Sequence, residues 1–129
     1  MMRNSILFYC VIICISSNCF SQELREQAIK NMGSSIAYIA LCEKDGNIET
    51  FFSSKLIITS QKTFSKNTLE KLRNQYQNSL HEKKQYSIAK DNWFPMKIDK
   101  ENCQNLEKAA PLLLNHFEEL GKQFPKSQQ

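Results

Sequence analysis

The feature that most limits the fold of this chain is a pair of cysteines, Cys42 and Cys103, each placed on the apolar stripe of a predicted helix. Apolar residues recur at steps of three or four along residues 23–44 and again along residues 100–120. This spacing is typical of one face of an α-helix. The two stripes consist of Leu24, Ala28, Met32, Ile36, Ile39 and Cys42, and of Cys103, Leu106, Ala110, Leu113, Phe117 and Leu120. A bridge between the cysteines would hold the first and last helices side by side.

The same two cysteines admit two chemical interpretations. In an oxidising compartment such a pair forms a disulfide, and closing a loop of about 62 residues stabilises a fold by roughly 4 kcal/mol. The alternative is a thiol-dependent enzyme in which Cys42 is the nucleophile and His81 or His116 is the base, which requires a shared cleft. The cysteine count favours the disulfide, because these two are the cysteines that remain beyond the N-terminal segment.

That N-terminal segment, residues 1–21, predicts a signal peptide. Arg3 precedes an apolar run over residues 5–15, which is too short to span a bilayer but suits a signal. Cys19 and Ser21 stand at the −3 and −1 positions of a cut after Ser21, which leaves a mature chain of about 108 residues. We expect an exported protein, secreted or periplasmic, with no transmembrane span after cleavage. Lipid attachment at Cys19 and an uncleaved N-terminal anchor are the alternatives.

The length and charge of the mature chain indicate one domain with a solvated surface. Residues 22–124 are enough for one modest core, and the polar residues 125–129 are expected to form a frayed tail. The whole chain has 17 Lys and Arg against 13 Asp and Glu, and removing Arg3 lowers the formal net charge from +4 to +3. Lysines are interspersed with acids, so the charge does not point to nucleic acid as a partner.

Two further helices are predicted between the cysteines. Few glycines and prolines, three of each, interrupt the chain, and this favours helices. Residues 48–59 fit either a helix or a strand, and we predict a short helix because no second strand of similar strength exists to pair with it. Asn67, followed by Glu70, predicts the start of a third helix that ends near residue 84.

Capping and packing residues complete the predicted architecture. Asp99 is the predicted N-cap of the last helix, while Gly46 and Gly121 are the predicted ends of the first and last helices. Gly33 predicts close approach by a neighbouring helix, and Pro111 predicts a kink or a new first turn. Because the apolar stripes are one-sided, the predicted fold class is all-α, a compact bundle of three or four helices stapled by one disulfide.

Residues 85–98 break the helical period and are rich in aromatic side chains, and Pro95 disfavours a helix at Phe94. One interpretation is that Trp93 and Phe94 close one end of the core. The other is a partner surface, because aromatic and basic side chains occur together there, as they do at membrane interfaces. The residues predicted for that surface are Lys83, Lys84, Lys90, Trp93 and Phe94.

The sequence contains no motif for a nucleotide, a metal, a cofactor or a catalytic triad. His116 and Glu119 share a helical face, but their order is the reverse of the Glu-x-x-His arrangement of metal bundles. We therefore expect a non-enzymatic exported protein, without a cofactor, that acts through surface binding or protein interaction. Its expected partner is a protein or a component of the envelope or host surface, and we expect a monomer or weak homodimer. An envelope stress chaperone and a binder of membrane or glycan surfaces are the alternatives.

Overall fold

The structure is a computed structural model, and it describes residues 18–49 and 51–124. Four helices and one β-hairpin make up this part of the chain. In chain order these elements are α1 (Asn18–Lys44), α2 (Phe52–Thr63), α3 (Lys66–Glu82), β1 (Lys84–Ser87), β2 (Asn92–Pro95) and α4 (Lys100–Gln123). The predicted helical fold with one disulfide is confirmed, and the hairpin is an addition to it. Residues 1–17 of the predicted signal peptide and the predicted tail 125–129 lie outside the described residues. Helix α1 begins at Asn18, ahead of the predicted start at Glu23.

Helix α1 is the central element of the fold. It packs along α3 and against β1, and it also contacts α2 and α4, while α2 packs along α4. The apolar stripes of the helices meet in one core, whose removal from water is the main favourable term in folding. Its most buried side chains include Met32, Ile36, Ile39, Leu56, Leu72, Ala110 and Phe117.

The disulfide joins Cys42, near the end of α1, to Cys103, near the start of α4. Their Cα atoms are 5.6 Å apart and both side chains are fully buried, so the predicted bridge is confirmed. At the other end of the same two helices, the Arg25 guanidinium lies 5.3 Å from the centroid of the Phe124 ring, which packs on the ring of Phe64. Helices α1 and α4 therefore run antiparallel, joined covalently at one end and through aromatic contacts at the other.

The end of α1 and the start of α2 are stabilised by two different interactions. Gly46 adopts a left-handed conformation with φ of 78°, and the Asn47 N–H donates to the Cys42 carbonyl at 2.9 Å, which closes α1 as predicted. Helix α2 begins at Phe52, inside the segment predicted as a short helix. The Glu43 carboxylate lies at the N-terminus of α2, where it accepts a hydrogen bond from the Ser53 N–H at 3.0 Å. A negative charge at this position is favoured by the helix dipole.

The N-cap predicted for α3 is wrong, whereas the N-cap predicted for α4 is confirmed. Helix α3 begins at Lys66, because the Ser65 hydroxyl accepts a hydrogen bond from the Thr68 N–H at 3.3 Å, and this places Asn67 inside the first turn. In α4, the Asp99 carboxylate accepts from the Asn102 N–H at 2.8 Å. The helix then continues through Pro111 as one element to Gln123.

Two glycines allow helices to approach each other closely. A Cβ atom added to Gly33 would lie 2.7 Å from Cγ of Gln75, which confirms the predicted close approach and assigns it to α3. The prediction that Gly121 ends α4 is wrong, because Gly121 lies inside the helix. A Cβ atom there would lie 1.9 Å from Cγ2 of Thr63, so the glycine is needed for the contact between α2 and α4.

Candidate functional site

The segment predicted as a partner surface forms the β-hairpin. Strands β1 and β2 are antiparallel, and Tyr86 pairs with Trp93. Residues 88–91 make the turn, in which the Asp91 N–H donates to the Ile88 carbonyl at 3.2 Å. Asp91 has a φ of 47°, a left-handed conformation that Asp and Asn tolerate better than most residues. In the sequence, Asp91 is only a weak turn signal, because the turn lacks the glycine of the common hairpin turns.

The hairpin is docked on α1 through a buried serine. The Ser34 hydroxyl is fully buried and accepts from the Tyr86 N–H at 3.1 Å and from Nε2 of Gln85 at 2.9 Å. The same hydroxyl donates to the Lys30 carbonyl at 2.7 Å. Nδ2 of Asn31 donates to the Tyr86 carbonyl at 2.9 Å, so both backbone polar groups of Tyr86 are satisfied by α1.

A buried tyrosine connects the turn of the hairpin to its strands. The Tyr86 hydroxyl donates to the Asp91 carboxylate, and the Trp93 ring packs edge-on against the Tyr86 ring at 5.1 Å between centroids. The hydrogen bond to Asp91, together with burial and the negative charges of Asp91 and Glu23, raises the pKa of Tyr86 to about 12. The phenol therefore stays neutral at neutral pH. The Nζ atom of Lys30 lies 5.3 Å from the centroid of the same ring.

Trp93 and Phe94 do not close the core, and that interpretation is wrong. Paired residues of antiparallel strands lie on the same face, so Trp93 shares a face with Tyr86, while Phe94 lies on the opposite face. Tyr86 and Met96 are the buried residues of this segment, whereas Trp93 is half-buried and Phe94 is 38% exposed. The Nζ atom of Lys90 lies 5.4 Å from the centroid of the Phe94 ring.

The hairpin segment carries several exposed lysines. Along residues 83–98 there are four lysines and one acid, Asp91, whose carboxylate accepts from Tyr86, so the formal charge of this segment is +3. Ile88 in the turn is 39% exposed, and it adds an apolar side chain to the residues predicted for the surface. We call this set the hairpin surface; it consists of Lys83, Lys84, Ile88, Lys90, Trp93, Phe94 and Lys97.

The remaining candidate residues do not form a chemical site in the described part of the chain. His81 is exposed in the last turn of α3, and His116 and Glu119 are exposed on α4. Within residues 23–49 and 51–124, no group of three or more His, Cys, Asp or Glu side chains is placed to hold a metal ion. Cys42 is bonded to Cys103 and has no thiolate in this state, so the alternative in which Cys42 is a nucleophile requires prior reduction.

None of the helices that the structure describes carries an apolar stretch long enough to cross a bilayer. Comparison with models of known protein families, with curated proteins and with solved structures finds no match for this chain.

Proposed function

We propose that this chain is exported and acts, without catalysing a reaction, as a binding protein that docks on anionic phospholipid surfaces through the hairpin surface. The observation that carries the proposal is the exposure of apolar side chains among lysines. Phe94 and Ile88 are 38% and 39% exposed, and Lys84 and Lys90 are exposed on the same hairpin. Apolar and aromatic side chains beside lysines are typical of proteins that bind the interface of anionic membranes.

The magnitude of the electrostatic attraction supports a reversible contact. A lysine near an anionic bilayer contributes about 1 kcal/mol, so the four lysines of the hairpin surface contribute about 4 kcal/mol, or roughly a thousandfold in affinity. Insertion of the Phe94 and Ile88 side chains adds apolar burial at about 25 cal/mol per Å². The charge attracts the chain to the bilayer, and the apolar side chains hold it there.

The docking of the hairpin on α1 supports the same proposal. Because Ser34 and Asn31 satisfy the backbone of Tyr86, the strands are held before any contact with lipid. A pre-ordered surface avoids the entropy cost of ordering on binding. The buried Cys42–Cys103 bridge suits an oxidising compartment, as does the predicted signal peptide.

The test uses the fluorescence of Trp93, which is the one tryptophan of the chain. The disulfide-bonded protein is titrated with vesicles of phosphatidylcholine alone and with vesicles that contain an equal part of phosphatidylglycerol. We expect a blue shift of Trp93 emission and co-sedimentation with the anionic vesicles only, and both effects should weaken as salt is added.

A charge-matched pair of variants assigns the contact to the hairpin. The double substitution Lys84→Gln and Lys90→Gln removes two charges from the hairpin surface and should weaken partitioning by about 30-fold. The control, Lys62→Gln with Lys108→Gln, removes two exposed lysines from α2 and α4 and should change partitioning less than about threefold. Equal losses in the two double variants, or equal binding to both vesicles, would refute the proposal. Binding to an anionic polysaccharide without binding to anionic vesicles would replace lipid by glycan as the partner.

A further inference from the structure

An open groove lies between α2 and α3, away from the residues of the hairpin surface. The short connection at residues 64–65 joins the two helices, and Ile36 of α1 also lines the space between them. The groove has a volume of about 300 Å³. Its apolar lining comprises Ile36, Ile57, Leu69, Leu72 and Tyr76.

Among the residues that line the groove, one is charged and several others are polar but neutral. Arg73 is the one charged residue among those that line it, and it is exposed on α3. Gln77 lies one turn further along α3, and Gln61 lines the groove from α2. Burial and the charge of Glu43 raise the pKa of Tyr76, so its phenol stays a neutral hydrogen-bond donor. The groove therefore has apolar walls, two amide groups and one fixed cation, which together suit a ligand with an apolar body and one anionic group.

The volume limits the size of that ligand. An apolar cavity of about 150 Å³ holds benzene, so a groove of twice that volume accommodates roughly twelve non-hydrogen atoms. The geometry points to a second binding site on this protein, in which the α2–α3 groove takes a small amphipathic monocarboxylic acid and Arg73 pairs with its carboxylate. This site goes beyond the proposed lipid contact and uses different residues.

The test uses octanoate as the probe and octylammonium, which has the same chain length and the opposite charge, as its control. Each is titrated into the isotopically labelled, disulfide-bonded protein, and amide chemical shifts are followed by NMR. We expect octanoate to shift the amides of Ile36, Leu72 and Gln77 in a saturable way. Octylammonium should shift them at least about tenfold more weakly, because Arg73 repels it.

Three variants of α3 distinguish a specific pairing of Arg73 with the carboxylate from a general effect of charge. Arg73→Gln should weaken octanoate binding by about tenfold or more, as expected for the loss of a charged hydrogen bond. Lys71→Gln removes one exposed charge from the same helix without touching the groove, and it should change octanoate binding less than about twofold. Gln77→Glu keeps the side-chain size and places a carboxylate beside Arg73. It should weaken octanoate binding and strengthen octylammonium binding.

Several results would overturn the inference. They are the absence of saturable shifts with octanoate, equal binding to wild type and Arg73→Gln, and shifts confined to the hairpin surface. Shifts of the groove amides with protein concentration alone would show that a second copy of the chain occupies the groove instead. Because all variants substitute exposed side chains, the spectrum of each free variant also shows directly whether its fold is retained. Failure here leaves the vesicle experiment unaffected, since the two tests use different residues and ligands.

Discussion

The contact between α2 and α4 at Gly121 permits a sharp prediction about packing. A Cβ atom at this position would lie 1.9 Å from Cγ2 and 3.3 Å from Cβ of Thr63, well inside the ordinary contact distance of about 3.5–4.0 Å. Relieving that overlap requires Thr63 to change rotamer or the two helices to separate, which costs about 1–3 kcal/mol. The higher helix propensity of alanine offsets about 1 kcal/mol. We therefore expect Gly121→Ala to lower the free energy of unfolding by about 1 kcal/mol.

A second substitution separates the overlap from other effects. Thr63→Ser removes the Cγ2 methyl group and keeps the hydroxyl, so the closest contact of the new alanine disappears. In that background the new Cβ atom keeps only the milder 3.3 Å approach to Cβ of residue 63, so the gain in helix propensity should make Gly121→Ala neutral or stabilising by less than about 1 kcal/mol. The coupling between the two sites is then about 1–2 kcal/mol.

Urea unfolding of the four disulfide-bonded proteins, followed by far-ultraviolet circular dichroism, measures this coupling. The dependence of the unfolding free energy on urea must be the same in all four proteins for the comparison to hold. If Gly121→Ala lowers stability equally in both backgrounds, the glycine is not required by Thr63, and the close approach of α2 to α4 is refuted.

Three further predictions concern the hairpin and the disulfide. Ser34→Ala leaves the buried Tyr86 N–H without its acceptor and should lower the free energy of unfolding by about 1–3 kcal/mol, whereas Ser35→Ala loses one longer side-chain bond and should cost less than half as much in the same urea assay. Cys42→Ser should lower the free energy of unfolding by about 2–5 kcal/mol, and an unchanged melting temperature would show that the bridge does not form in solution. Absorbance titration should place the pKa of Tyr86 at about 12, and Asp91→Asn should return it toward 10.0. Because this pKa is raised on folding, the neutral phenol contributes stability fully below pH 10.0 and loses it as the pH rises through about 12, so urea midpoints of wild type should fall over that interval. Those of Asp91→Asn should fall less, because the pKa of Tyr86 then lies near 10.0 in both the folded and the unfolded state.

The helices were predictable because their signals are local. The stripe that ends at Cys42 and the stripe that begins at Cys103 repeat every three or four residues, and both face the core except at Leu24, which is exposed. Gly46 and Asp99 act within one turn of the helix ends that they mark, so their roles follow from neighbouring residues alone.

The hairpin and the role of Gly121 depend on partners far along the chain. The hairpin has only two short strands, and its backbone is satisfied by Ser34, a residue that lies 52 positions before Tyr86. A two-stranded hairpin is only marginally stable by itself in water. The local sequence therefore does not predict it, because its stability depends on the contact with Ser34. Gly121 resembles a helix end in the sequence, but its role is set by Thr63 on another helix.

The sequence predicted which residues form the candidate surface, but not which of their side chains are exposed. The lysines and aromatic residues of the segment are visible in the sequence, and this grouping favoured a partner surface. Which aromatic side chain is buried depends on the alternation of the strands, which places Tyr86 inward and leaves Phe94 exposed. The α2–α3 groove was not predicted, because its lining residues come from three separate helices.

The position of the disulfide determines how the chain responds to force and to proteases. Because Cys42 and Cys103 are joined, α2, α3 and the hairpin all belong to one covalent loop. Tension applied at the two chain ends would pass through the disulfide and not through the loop. The loop, about 200 Å long when fully extended, would therefore stay unstretched until the disulfide is reduced. A single proteolytic cut within that loop would likewise leave both fragments attached, so a nicked molecule would keep its full mass on a non-reducing gel and separate only after reduction.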